Sequence, residues 1–179
     1  MKKLQIGIIG SMADMKIQNR IKHLARDIGK EIARNNAVLV FGLEGDFESL
    51  SSIAAHNAEI AGGQTLAFVH GCKREHVSDF ASLQVVTGQE RGGGREFSFI
   101  LSCDAIICIN GGSGTLMEIA MAYQAGIPIV ALKGSLGWSD KLIDSFLDER
   151  KREKICSADT AENSVRIAIK LANNNLNQR

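Results

Sequence analysis

A chain of 179 residues, 45% of them apolar, is long enough to bury one full hydrophobic core, which excludes a disordered or fibrous chain. A formal net charge of +1 supplies no general electrostatic drive toward nucleic acid or an acidic membrane surface, so neither is expected as a partner. Cys72, Cys103, Cys108 and Cys156 lack C-x-x-C spacing and read as reduced thiols, no apolar stretch reaches membrane-spanning length, and the first residues run directly into a strand, so the expected location is cytoplasmic. In chain order, Leu4–Ile9 is an apolar strand closing on Gly10-Ser11. From Ile17 to Ala33 apolar residues recur at 17, 21, 24, 25, 28, 32 and 33, the stripe of an amphipathic helix. Ala37–Phe41 predicts a strand ending at Gly42, Leu50–Ala61 a helix stopped by Gly62-Gly63, and Thr65–Val69 a strand ending at His70-Gly71. After a looser stretch come a strand at Leu83–Thr87, a helix at Glu96–Ser102, a strand at Ala105–Ile109, a helix at Thr115–Ala125 and a strand at Ile127–Leu132, with Pro128 near its start. Asp140–Glu149 and Thr160–Ala172 read as helices, and the polar residues 173–179 as a frayed tail after a single domain spanning 1–172.

The strands are apolar throughout rather than alternating, which means burial on both faces. Their alternation with helices implies a three-layer, doubly wound α/β domain with a mainly parallel, Rossmann-like sheet. Parallel strands share one carboxyl edge, and ligands of such sheets bind there. The glycine turns concentrate on that edge. The most informative of them is Asn110-Gly-Gly-Ser-Gly-Thr115, between an apolar strand and a helix. Glycines let the backbone approach a ligand, and the unpaired N–H groups and positive dipole end of the helix favour a phosphate. Gly111, Gly112, Ser113, Gly114 and Thr115 are therefore the expected phosphate-binding residues, with Gly10, Ser11 and Gly42 on neighbouring turns of the same edge.

Arg95 lies near the start of a helix on the ligand edge, where a guanidinium pairs with phosphate or carboxylate. Arg91, in the loop Gly88-Gln-Glu-Arg-Gly-Gly-Gly-Arg95, reads equally as a ligand contact or a solvated charge. Glu118 has two readings: the far end of a capping box with Thr115, or a catalytic carboxylate. On the wheel, Leu116, Ile119, Ala120 and Tyr123 form the core stripe, and Glu118 points away from it. Asp104 falls on the opposite edge and reads as a turn residue. His70 ends a strand on the ligand edge and His23 lies in a helix, and no histidine has metal-ligand spacing, so neither a metal nor a cofactor is expected. Lys151, Arg152 and Lys154 read as a solvated loop.

The segment Gly111-Gly-Ser-Gly-Thr-Leu-Met-Glu118, with Arg95 upstream and Asp104-Ala-Ile-Ile-Cys-Ile109 between, resembles the LONELY GUY family, long labelled "lysine decarboxylase". The family pattern is Pro-Gly-Gly-x-Gly-Thr-x-x-Glu preceded by an Arg-Lys pair. Here Asn110 stands for the proline and Glu96 for the lysine, and the turn after the second strand carries Glu44 and Asp46, either as acceptors for sugar hydroxyls or as solvated acids. These departures point to a divergent branch of the superfamily, which also contains a molybdenum-cofactor carrier. The resemblance implies a nucleotide-like ligand and hydrolysis of the N-glycosidic bond of a nucleoside 5′-monophosphate. It also implies Glu118 and Arg95 as catalytic residues and a homodimer or larger homo-oligomer. The alternative it leaves is a carrier without turnover.

Overall fold

The computed structural model describes residues 2–12, 16–43, 48–74 and 81–177. Seven strands run as β1 (Gln5–Gly10), β2 (Val38–Leu43), β3 (Gln64–Val69), β4 (Leu83–Val86), β5 (Ala105–Ile109), β6 (Ile129–Leu132) and β7 (Cys156–Ala158). They form one sheet in the order β4-β3-β2-β1-β5-β6-β7, and every neighbouring pair is parallel. The doubly wound reading therefore holds. Residues 106–109 of β5 are all fully buried, because helices cover both faces of the sheet's centre.

The helices are α1 (Asn19–Arg34), α2 (Leu50–Ile60), α3 (Gly94–Leu101), α4 (Ser113–Ala125), α5 (Gly137–Leu142) and α6 (Ala161–Leu176). One face is covered by α1, α2 and α6, whose inward residues, such as Ile21, Ile28, Ala54 and Val165, share a core with Ile8, Leu39 and Ile107. The other is covered by α3, α4 and α5, with Phe99, Ile119 and Tyr123 against Ile9, Ile106 and Ile129. Each such isoleucine contributes roughly 1.5–3 kcal/mol through burial. The α1–α2 packing is at backbone contact: a Cβ at Gly29 would lie 2.0 Å from the Ala54 carbonyl oxygen. Gly29 thus fixes how closely the helix that follows β1 approaches the one that follows β2.

Several sequence expectations change. The helix predicted at Asp140–Glu149 is the short α5, which starts earlier and stops at Leu142. Asp140 accepts the N–H of Gly134 at 2.5 Å and of Leu136 at 2.7 Å, so the carboxylate organises the turn into α5. Ile143 then turns extended and Asp144 adopts φ 56°, which ends the helix. Strand β7 was not expected, since three residues of mixed polarity carry no periodic signal. The helix predicted to end at Ala172 continues to Leu176, where Asn175 donates to the Gly126 carbonyl at 2.8 Å. Asp104 behaves as the turn residue its edge suggested, accepting the Gln5 N–H at 2.8 Å.

Among the described residues, no helix is long and apolar enough to cross a membrane.

Candidate functional site

The strand order reverses between β1 and β5: successive connections lead outward from β1 through β2 and β3, and then return to the other side at β5. A crevice opens outside the carboxyl ends of these two strands, where open α/β sheets bind ligands. A cavity of about 410 Å³ occupies it. Its walls come from the ends of β1 and β2, the starts of α2, α3 and α4, and the glycine loop before α3.

The floor is α4. Gly112 is its N-cap, in an extended conformation, and the Leu116 N–H closes the first turn on the Gly112 carbonyl at 3.1 Å. The helix therefore begins two residues earlier than the sequence suggested. Thr115 is a buried first-turn residue rather than the cap, and the Thr115–Glu118 capping box does not form. The N–H groups of Ser113, Gly114 and Thr115 precede that of Leu116, the first donor of the helix's own ladder, and all three residues line the cavity. Of the predicted core stripe, Ile119 and Tyr123 are buried while Ala120 is exposed. Met117 and Glu118 line the cavity.

Asn110 and Gly111 both have positive φ, 60° and 108°. A proline, with φ fixed near −65° and no N–H, could not replace Asn110 here. The Asn110 N–H donates to Ser135 Oγ at 2.8 Å, and its carbonyl accepts the Ser139 N–H at 2.9 Å. The Gly111 N–H is engaged by Ser11 Oγ at 3.0 Å and Asn110 Oδ1 at 2.7 Å. Ser11 also accepts the Leu50 N–H at its carbonyl, at 3.0 Å. Ser11 thus joins the turn after β5 to the start of α2. Gly111 shapes the site but is not among the residues that line the cavity, whereas Gly10, Ser11, Gly42, Gly112, Ser113, Gly114, Thr115, Arg91, Arg95 and Glu118 all are.

Arg95 and Glu96 are buried charges, with side chains 4% and 6% exposed. Arg95 Nε and Nη2 both donate to Glu96 Oε1, at 3.1 and 2.6 Å, and Nη1 donates to the Leu43 carbonyl at 3.4 Å. The guanidinium needs Gly42: a Cβ there would sit 2.4 Å from Nη1. Glu96 Oε2 accepts the Gly93 N–H at 2.8 Å, which fastens the glycine loop to α3. Burial pushes the Glu96 carboxyl up, but the adjoining Arg95 guanidinium and the Gly93 N–H outweigh it and hold the group below the usual carboxylate range. The folded state therefore favours the ionised form. That stabilisation is complete above the ordinary carboxylate value of 4.5 and is lost as pH falls through the depressed folded value. Melting temperatures taken from neutral pH down through the carboxylate range should fall less steeply for Glu96→Gln than for the unsubstituted chain.

Sequence reasoning did not single out Met12, Ser49, Ser51, Phe99 or Met117, which also line the cavity. Ser49 is the N-cap of α2, its Oγ accepting the Ser52 N–H at 3.2 Å. A serine cluster just before an apolar helix was the available signal. Arg91 donates to Met12 Sδ at 2.8 Å, a contact between two wall residues. Buried Nδ1 of His70 has no hydrogen-bond partner among the described residues, and His70 is not among the lining residues. His23 is exposed on α1 and bonds only its own helix, at the Asn19 carbonyl. Glu44 and Asp46 lie outside the described residues. No group of three or more His, Cys, Asp or Glu residues able to hold a metal occurs among the described residues.

Against known proteins, a protein of Archaeoglobus fulgidus of uncharacterised function is 31% identical over 133 residues, 74% of this chain and 82% of the relative. The molybdenum cofactor carrier protein of Chlamydomonas reinhardtii superposes with a TM-score of 0.77 at 25% identity, covering 95% of this chain and 98% of the other. The molybdenum cofactor binding protein of the phototrophic bacterium Rippkaea orientalis gives 0.79 at 26% identity, covering 96% and 98%. These neighbours share the fold over nearly its whole length. The model of the SLOG cluster4 family matches residues 3–165, so the chain belongs to that family, within the superfamily to which its glycine–threonine–glutamate motif pointed.

Proposed function

We propose that the chain binds a nucleotide-like, phosphorylated small molecule in this cavity and hydrolyses the N-glycosidic bond of a nucleoside 5′-monophosphate to base and ribose 5-phosphate. The observation that carries the reading is the opening of the α4 N-terminus onto the cavity, with Glu118 on the same wall. The first-turn amides receive the phosphate. Helical side chains tilt toward the N-terminus, so Glu118, one turn further along, reaches back toward the anchored sugar. Its carboxylate stabilises the positive charge that develops on the ribose as the bond to the base breaks, and water completes the cleavage. Arg95, fixed by Glu96, positions the neutral part of the ligand. Assembly as a homodimer or larger homo-oligomer belongs to the same proposal.

A second reading, a carrier that holds such a ligand without turnover, is supported by the end-to-end likeness to proteins described as carrying or binding the molybdenum cofactor. Incubation with a panel of nucleoside monophosphates, followed by mass spectrometry, separates the two. Free base together with ribose 5-phosphate is the result expected of the enzyme. A rise in melting temperature without release moves the assignment to the carrier, and silence in both measurements overturns both.

A further inference from the structure

The charged residues among the described lining of the cavity are Arg91, Arg95, Glu96 and Glu118, two of each sign. The pairing of the buried two decides what charge a ligand meets. Arg95 presents Nε and Nη2 to a single Glu96 oxygen, and the other Glu96 oxygen holds the Gly93 N–H. Both side chains are almost wholly out of water, so solvent screens the pair little. A ligand anion that drew Arg95 away would leave Glu96 buried and uncompensated, which is strongly unfavourable. Gly42 and the Leu43 carbonyl close the other side of the guanidinium.

We propose that Glu96 is a specificity-determining residue: by holding Arg95 in a closed ion pair beside the phosphate site, it restricts the cavity to ligands that bring in one phosphate rather than a chain of two or more. The inference rests on the phosphate reading of the α4 N-terminus. The amides of α4 satisfy the first phosphate without a side-chain cation. A second phosphate would have to settle among walls that carry Glu96 and Glu118 as well as Arg91, with Arg95, the buried cation, already committed to Glu96. In place of a second anion site, the Arg95–Glu96 pair offers a fixed donor beside a fixed acceptor, suited to a neutral polar group such as a sugar diol or the edge of a base.

Inorganic phosphate and pyrophosphate are the probes, titrated calorimetrically at one fixed salt concentration into the full chain. Neither contains a glycosidic bond, so turnover does not interfere. At a site with surplus positive charge, the more highly charged pyrophosphate binds more tightly. Here the unsubstituted chain is expected to prefer phosphate by about tenfold. Glu96→Gln removes the charge while keeping the size of the side chain and one acceptor oxygen, which serves either Arg95 or the Gly93 N–H. It should tighten pyrophosphate binding and bring the ratio to about one, with phosphate affinity changed by less than about threefold. Preference for pyrophosphate in the unsubstituted chain overturns the proposal, and needs no variant to fold. An unchanged ratio in Glu96→Gln, or equal weakening of both probes, also overturns it, since a purely structural role acts on both alike. Failure of both probes to bind overturns the phosphate reading itself, a result distinct from bound phosphate without discrimination.

Discussion

Glu118→Gln is expected to lower base release from a nucleoside monophosphate by about 100-fold or more while leaving phosphate affinity within about twofold. The two effects separate because the two ends of the ligand use different parts of α4. The amides of Ser113, Gly114 and Thr115 belong to the main chain and survive the substitution. Only the charge that answers the developing cation on the sugar is removed. Glutamine fills nearly the same volume and keeps an acceptor oxygen, so the fold should tolerate it. Steady-state release assayed by mass spectrometry, with phosphate titrated in parallel, checks the prediction. A variant that retains full turnover removes Glu118 from the chemistry. A variant that loses phosphate binding as well makes Glu118 part of the anion site.

Gly111→Ala is expected to be the most damaging small substitution in the site. At φ 108° an L-residue is strained whatever the space around it. The added Cβ would also lie 2.5–2.8 Å from three side-chain atoms of Thr115. Strain and overpacking together cost about 3–5 kcal/mol. For a chain of this size that corresponds to a drop in melting temperature of roughly 6–15 °C. The clash falls on the first turn of α4, so the phosphate site should distort with it, and phosphate titration of the folded fraction should show affinity reduced by at least about tenfold. A melting temperature within about 2 °C of the unsubstituted chain would show that the turn relaxes at little cost.

The order of the central elements and the location of the cavity were both legible from residues alone. Apolar runs such as Ala105–Ile109 have one physical explanation in an alternating chain, burial between two helix layers, and the glycines after them mark one edge. Boundaries set by side-chain capping were harder to read. The start of α4 depends on the conformation of Gly112, which no residue type announces, and Thr115 imitates a cap it does not provide. The region after β6 misled because Asp140, which looks like a helical residue, is employed in closing the turn at Gly134 and Leu136. Within the site, Glu96 was visible only as a substitution for an expected lysine. That its carboxylate neutralises its neighbour and ties down a loop depends on a contact between adjacent residues, which spacing cannot reveal. Asn110 is the converse case: its departure from the family proline reflects a left-handed turn that proline cannot make.

The clasp made by Ser11 bears on the thermodynamics of recognition. Its hydroxyl and its carbonyl hold the main chain of two separate connections, at Gly111 and Leu50, before any ligand arrives. That corner is preorganised: binding there does not have to immobilise wandering loops, and the entropic penalty of ordering them was met when the chain folded. Affinity at this end should accordingly be governed by how fast the ligand leaves rather than by a slow rearrangement before it enters.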